Sequence, residues 1–379
     1  MVFIDWFWPG YLAGGPVQSI VSLVRYLGAE FNFKIVTTNC DLNSDKPYGG
    51  IQADTWIKSE LGCEVYYTSL QNLSYRTVKK VMDETSFDLV YINSFFSKNF
   101  SIIPLQILNT YYKKKPVILA PRGMLGEGAL AIKRFKKRAF ILYSRITGLH
   151  SRVIWHATSV QEEQEIKNVF GTKKTIYKIS NLPKKLNADL KKIKTPGSLN
   201  LCFISRISEK KNLVFALNVL AQINDQEIRY NIYGPLEDST YWEKCENILK
   251  NFPKNIKAEY QGTIDPKDLE KVLADEHMMF LPTFNENFGH SIVESLLCGC
   301  PVIISDQTPW NDLEANDAGY AIPLNEKEKF ITAIKACVKL NQEEFSARSQ
   351  KAINYISKKI DLGLITQQYK TLFNESIKN

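Results

Sequence analysis

The chain has 379 residues, long enough for two or three domains of ordinary size. Hydrophobic residues make up 44% and charged residues 23%, which excludes a disordered or fibrous chain, and no stretch nears the ~20 uninterrupted apolar residues of a membrane-spanning helix. The net charge of +8 is held unevenly, with 28 Lys and Arg against 15 Asp and Glu through residue 197 and 20 against 25 beyond it. The basic first half predicts an anionic partner there (a membrane surface, a phosphorylated acceptor or nucleic acid), with a merely solvated face as the alternative.

The opening MVFIDWFWPG has no basic flank and only a short apolar run, so no secretory signal is expected. Seven cysteines, odd in number and without metal-ligand spacing, fit a reduced cytosol.

In chain order, short aliphatic runs fall at residues 2–4, 33–37, 89–93, 117–120, 201–205, 230–233, 278–281 and 302–305. They are continuous rather than alternating, as in parallel strands buried on both faces. Amphipathic segments lie between them. Val17, Ile20, Val21, Val24 and Leu27 keep helical spacing, as do Leu213, Ala216, Leu217, Leu220 and Ile223. The alternation predicts an α/β fold with parallel sheets. The polar, basic stretch NLPKKLNADLKKIKTPGSLN, with a proline near each end, predicts a domain boundary. The expected division is an N-terminal domain over 1–182, a linker over 183–198, a second domain over 199–355 and a C-terminal segment over 356–379. Within that last segment Leu362, Ile365, Tyr369, Leu372 and Phe373 share a helical face and predict docking on another element.

Three strand-end loops carry candidate chemistry, because ligands of open α/β sheets bind at the carboxyl ends of strands. In WPGYLAGGP, Gly14 and Gly15 allow close backbone approach and Pro16 suits a first helical turn; a tight turn reads the same way. In FISRISEKKNL, Arg206 and Lys211 are placed to clamp a diphosphate, or are two solvated cations. In PTFNENFGHSIVESLLCGCPVIISD, Glu286 lies in the loop and Glu294 about one turn inside the next helix. The two acids share a strand-end crevice where they can accept hydroxyl hydrogen bonds, and backbone N–H groups around Gly289, His290 and Ser291 can hold phosphate. Equally, Glu294 is a favourable charge near a helix N-terminus. Of the histidines, His150, His156 and His277 read as structural, and His290 as a ligand contact in the third loop or a packing residue.

FNENFGHSIVESLLCGCPVIISD resembles the E-x-F-G-x-x-x-x-E-A-x-x-x-G-x-P-V-I segment of retaining GT-B glycosyltransferases of family 4 (glycosyl transferases group 1), with Ser295 for the usual Ala. The resemblance runs in order along nearly the whole chain. GGPVQSIVSLVRYL is similar to the family's first glycine loop and helix. FISRISEKKNL is similar to its G-R-x-x-x-x-K-G segment, with Ser205 and Asn212 for the glycines. YNIYGPLED and YQGTI are similar to its two glycine-ended strands. It implies two Rossmann-like doubly wound domains, with the C-terminal helix crossing back to the first.

The activity it implies is transfer of a sugar from a nucleotide diphosphate sugar to a hydroxyl of a glycan or lipid-linked acceptor, with retention. Surface polysaccharide or lipopolysaccharide-type synthesis is the implied setting. On this resemblance Glu294 would hold the ribose hydroxyls and Glu286 the donor sugar. Arg206 and Lys211 would neutralise the diphosphate without a metal, Phe288, Gly289, His290 and Ser291 would line sugar and phosphate, and Gly14 and Gly15 would approach the diphosphate. No cofactor other than the donor is expected. The chain departs from many relatives at Asn93 and Arg122, where they carry His; Arg122 is expected either to bind an anionic acceptor or to pair with Glu127. KRFKKR and YYKKKP, the densest basic clusters, predict peripheral contact with an anionic inner membrane face, or solvated surface. A nucleotide-sugar 2-epimerase of the same fold and, remotely, a basic nucleic-acid-binding protein are the alternative readings.

Overall fold

The structure, a computed structural model, describes residues 1–131, 133–186 and 192–378. It divides into two compact units. Unit 1 comprises Met1–Leu182 together with the chain from Leu362 onward, and unit 2 is Pro183–Asp361.

Unit 1 is built on an eight-stranded sheet. Its strands are β1 (Val2–Phe3), β2 (Lys34–Thr38), β3 (Trp56–Lys58), β4 (Glu64–Thr68), β5 (Val90–Ile92), β6 (Val117–Leu119), β7 (Val153–Ala157) and β8 (Ile176–Lys178), in the order β3-β4-β2-β1-β5-β6-β7-β8. Every pairing is parallel except β3 with β4. Phe3, Ile35, Val90, Ile92, Val117, Leu119 and Trp155 are buried in its central strands, which accounts for their unbroken apolar runs. The helix Gly15–Leu27 buries Val17, Ile20, Val21, Val24 and Leu27, the face expected from spacing. The last helix, Leu362–Lys378, buries Ile365, Tyr369, Leu372 and Phe373 within this unit. Phe373 meets the rings of Phe31 at 5.3 Å and Tyr91 at 5.9 Å, and the Tyr177 hydroxyl donates to Glu375 at 2.7 Å.

Unit 2 has a six-stranded, all-parallel sheet. Its strands are β9 (Ser198–Ile204), β10 (Glu227–Tyr233), β11 (Ile256–Gly262), β12 (Met278–Leu281), β13 (Val302–Ser305) and β14 (Gly319–Ile322), in the order β11-β10-β9-β12-β13-β14. The order reverses direction between β9 and β12, so the loops that leave those two strands flank a topological switch point. In unit 1 the reversal falls between β1 and β5.

From Pro183 on, the described residues of the boundary stretch belong to unit 2. Lys192 Nζ donates to the Glu276 carbonyl at 2.9 Å, and Lys194 Nζ donates to the carbonyls of Val338 at 3.0 Å and Leu340 at 3.1 Å. Both lysines are buried, and buried ammonium groups require such acceptors. Part of the expected linker, residues 187–191, lies outside the described residues. The second unit also extends past residue 355. Its last helix, Gln342–Lys359, is started by an Asn341–Glu344 capping box, and the helix of unit 1 begins at Leu362. Among the described residues no helix is long and apolar enough to cross a membrane.

Candidate functional site

The loops after β9 and β12 are stitched together across the switch point of unit 2. The Phe284 amide and the Thr283 hydroxyl donate to the Lys210 carbonyl at 2.9 and 3.1 Å, and Asn212 Nδ2 donates to the Pro282 carbonyl at 3.0 Å. Asn212 has φ 59°, a left-handed conformation that glycine adopts freely and asparagine tolerates. That is the physical reason Asn can stand where the resembling pattern has Gly.

Lys211 and Glu286, 75 residues apart, close this seam with an ion pair between Nζ and Oε1, their side chains only 12% and 11% exposed. The Glu286 amide donates to the Gln307 carbonyl at 2.9 Å, tying in the loop after β13. The sequence placed both residues at strand ends, and the structure brings them together as one unit.

Beyond Glu286 the chain turns at Gly289 (φ 74°) into the helix His290–Leu297. The carbonyl of Phe288 accepts from Trp310 Nε1 at 2.7 Å, and the Phe288 ring packs edge-on against His290 at 4.8 Å and Trp310 at 5.9 Å. The loop that presents the helix N-terminus at Gly289–Ser291 is therefore fixed by Trp310, which sequence reasoning did not single out.

Glu294 follows within the helix, 8% exposed. Burial pushes its carboxyl up to about 7, with Lys184 the charge that opposes the rise. A buried acid raised toward neutrality beside a strand-end loop is a candidate site residue.

Arg206 leaves β9 and donates to Glu237 Oε1 at 2.7 Å, both side chains about one-third exposed. Glu237 lies in the quoted YNIYGPLED stretch, but nothing in local spacing signals this partner. Gly234 shapes the same edge: with φ 143°, a Cβ there would lie 1.8 Å from the Ser205 carbonyl oxygen. Among the described residues no group of three or more His, Cys, Asp or Glu side chains is gathered as a metal site would need.

Unit 1 places its own candidates. Gly14, with φ 68°, precedes the helix Gly15–Leu27, and a Cβ on it would meet nothing within 4 Å, so the loop is open at that point. Asp41 holds the loop from behind, accepting from the amides of Tyr11 at 2.8 Å and Leu12 at 3.2 Å. At the switch point, Ser97 Oγ donates to Asp5 Oδ1 at 2.6 Å, and burial raises the Asp5 carboxyl above the usual range.

Arg122 departs from the expected pairing with Glu127. Its guanidinium donates to Asn93 Oδ1 at 2.6 Å, Asn181 Oδ1 at 2.6 Å and the Tyr91 hydroxyl at 3.0 Å. Glu127 is not its partner; Arg122 instead ties together the segments that leave β5, β6 and β8. The next residue's amide, Gly123, donates to the buried Glu162 Oε1 at 2.6 Å. His150, His156 and His277 are buried, and His150 and His156 are held neutral, burial lowering each to about 3.

Known proteins share this architecture. Residues 186–358 match the family Glycosyl transferases group 1. The chain is 26% identical over 252 residues to an uncharacterized 41.2 kDa protein in the cps region of Klebsiella pneumoniae, covering 63% of this chain and 65% of that one. It is 21% identical over 191 residues to WcaL of Escherichia coli (strain K12), whose name places it among glycosyltransferases of colanic acid biosynthesis, covering 48% and 46%. The chain thus spans less than two thirds of the length of either relative. Among solved structures, Anabaena Alr3699/HepE in complex with UDP and glucose superposes with a TM-score of 0.72 at 15% identity, covering 99% of this chain and 98% of that one. The fold is the two-unit, parallel-sheet GT-B architecture of glycosyltransferases.

Proposed function

We propose that the protein is a retaining glycosyltransferase that moves a sugar from a nucleotide diphosphate sugar to a hydroxyl of a glycan acceptor in surface polysaccharide synthesis. The observation that carries this reading is the mostly buried Lys211–Glu286 pair at the switch point, with Glu294 in the following helix, all inside the segment matched by the glycosyl transferases group 1 family. The relatives in a cps region and in colanic acid biosynthesis support a glycan as the acceptor class. The HepE complex, which holds UDP and glucose, supports a nucleotide sugar as donor.

In this reading Glu294 accepts the ribose hydroxyls as a carboxylate, and Glu286 orients the donor sugar while Lys211 faces the diphosphate. Arg206 exchanges Glu237 for the diphosphate, and the amides at Gly289–Ser291 cradle phosphate. The bond from the anomeric carbon to the diphosphate oxygen breaks as the acceptor oxygen attacks on the same face. The acceptor proton passes to the departing diphosphate. Charge grows on the diphosphate in the transition state, so fixed cations lower the barrier, and no divalent ion is required.

A thermal-shift screen against UDP- and GDP-sugars tests the donor: at ~100 times its dissociation constant the true donor adds about 2.7 kcal/mol of stability. Stereochemical analysis of the product tests retention. No stabilisation by any nucleotide sugar, or activity lost to EDTA and restored by Mg²⁺, would contradict this account. Glu237→Gln gives a milder test. The exposed pair with Arg206 contributes about 0–1 kcal/mol, so the melting temperature should barely move. Nucleoside diphosphate affinity at low ionic strength should rise a few-fold by titration calorimetry, because Arg206 is no longer shared. Weaker binding would remove Arg206 from the diphosphate.

A further inference from the structure

The helix Arg134–Ile146 in unit 1 has an inward face that is well packed. Ile141 and Ser144 are buried, the Phe140 ring meets Phe95 and Phe96, each at 5.8 Å, and Lys137 lies 5.0 Å over the Phe96 ring. Its outward face is unusual. Phe135 is 89% exposed, Leu142 58% and Ile146 77%, with exposed Ala139 between them. At 3.6 residues per turn these four positions fall within about 60° of one another, so they form a single apolar stripe in water. A surface helix of a soluble protein normally turns such a stripe inward. Here the inward position is taken by the opposite face.

The charges say what covers the stripe. Exposed Arg134 and Arg138 run along one side of it, exposed Lys136 along the other, and exposed Lys133 precedes the helix. The helix RFKKRAFILYSRI contains no acid. A second copy of this face would set cation against cation, whereas an anionic lipid surface meets both features at once. We infer that this helix lies flat on an anionic bilayer, with Phe135, Leu142 and Ile146 entering the boundary between headgroups and acyl chains and the cations against lipid phosphates. Thirteen residues span about 20 Å, too short to cross a bilayer and suited to its surface. The apolar stripe adds what charge counting alone does not predict, a component of binding that survives salt.

The inference does not rest on glycosyl transfer, and its test needs neither donor nor acceptor. The full chain is co-sedimented with vesicles of phosphatidylcholine alone and with 30 mol % phosphatidylglycerol (about that fraction gives a strongly anionic surface). The wild type should bind only the anionic vesicles and keep part of that binding at ~0.15 M salt. Phe135→Ser/Leu142→Ser/Ile146→Ser should lose at least about tenfold in partitioning and become fully salt-releasable. Lys133→Gln/Arg134→Gln/Lys136→Gln/Arg138→Gln should lose the preference for anionic lipid.

All seven native cysteines are buried, so Leu142→Cys carries an environment-sensitive dye selectively. Its emission should shift to the blue on anionic vesicles, a readout that survives if the triple variant folds poorly. Wild-type binding that the triple serine change leaves intact, or an unshifted dye, overturns the inference. So does a dimer in sedimentation velocity that the triple serine change abolishes.

Discussion

Glu294→Gln should make the unliganded protein more stable at pH 8 while weakening nucleotide binding. Burial holds this carboxyl at about 7 in the fold against 4.5 for an ordinary glutamate. The folded state therefore binds the proton more tightly than the unfolded chain. The sign follows: the favourable contribution is complete below pH 4.5 and is lost as pH rises through 7. Above pH 7 the ionised side chain costs up to about 3 kcal/mol, at 1.36 kcal/mol for each unit of displacement. Glutamine keeps the size and cannot ionise, so the gain in melting temperature over wild type should be near zero at pH 4.5 and largest at pH 8. Glu276, which burial lifts to about 8, contributes a similar slope to both proteins and cancels in the difference. A ribose held by the carboxylate should lose roughly 1.5–3 kcal/mol when the acceptor becomes a neutral amide. Wild-type affinity should rise from pH 6 to 8, and that of the variant should stay flat. A variant that binds nucleoside diphosphate as tightly as wild type, or that is less stable at pH 8, would remove Glu294 from this role.

The fold that positions Glu294 is partly legible in the sequence. Continuous apolar runs located β1, β2, β5, β6, β9, β10, β12 and β13 to within a few residues, because strands buried on both faces cannot hide among polar positions. The same criterion passes over six strands, β3, β4, β7, β8, β11 and β14; of these β3 and β8 are each three residues long with no residue fully buried. Edge strands bury one face at most, and three residues leave no period to detect.

The site divides in the same way. Glu286, Glu294, Arg206 and Lys211 lie at strand ends or about one turn into a helix, a local property that makes them candidates, and the family resemblance singles them out. Their partners do not stand out. Lys211 meets Glu286 only because β9 and β12 are neighbours in the sheet, and Arg206 meets Glu237 only because β10 flanks β9 on the other side. Arg122 shows the limit most clearly. Local reading offered Glu127, five residues on, whereas the guanidinium reaches Asn93 and Asn181, set beside it by the pairing of β5 to β8.

The second large effect concerns Lys211, where stability and turnover should come apart. Lys211→Met leaves the Glu286 carboxylate nearly buried without its cation, and removing one partner of such a pair typically costs about 3–5 kcal/mol. Glu286→Gln alone leaves the ammonium in the same position and should cost a similar amount. Lys211→Met/Glu286→Gln together remove both charges, so the double variant should recover most of the lost stability. The coupling, from a double-mutant cycle in denaturant melts, should be at least about 2 kcal/mol. Turnover should behave differently. If Lys211 neutralises the leaving diphosphate, its loss should lower kcat by about 10²–10³, the scale of removing one electrostatic contact to developing charge. Restoring stability in the double variant should restore none of that rate. Recovery of kcat in the double variant would reduce Lys211 to a residue that positions Glu286, and single variants as stable as wild type would show that water already screens the pair.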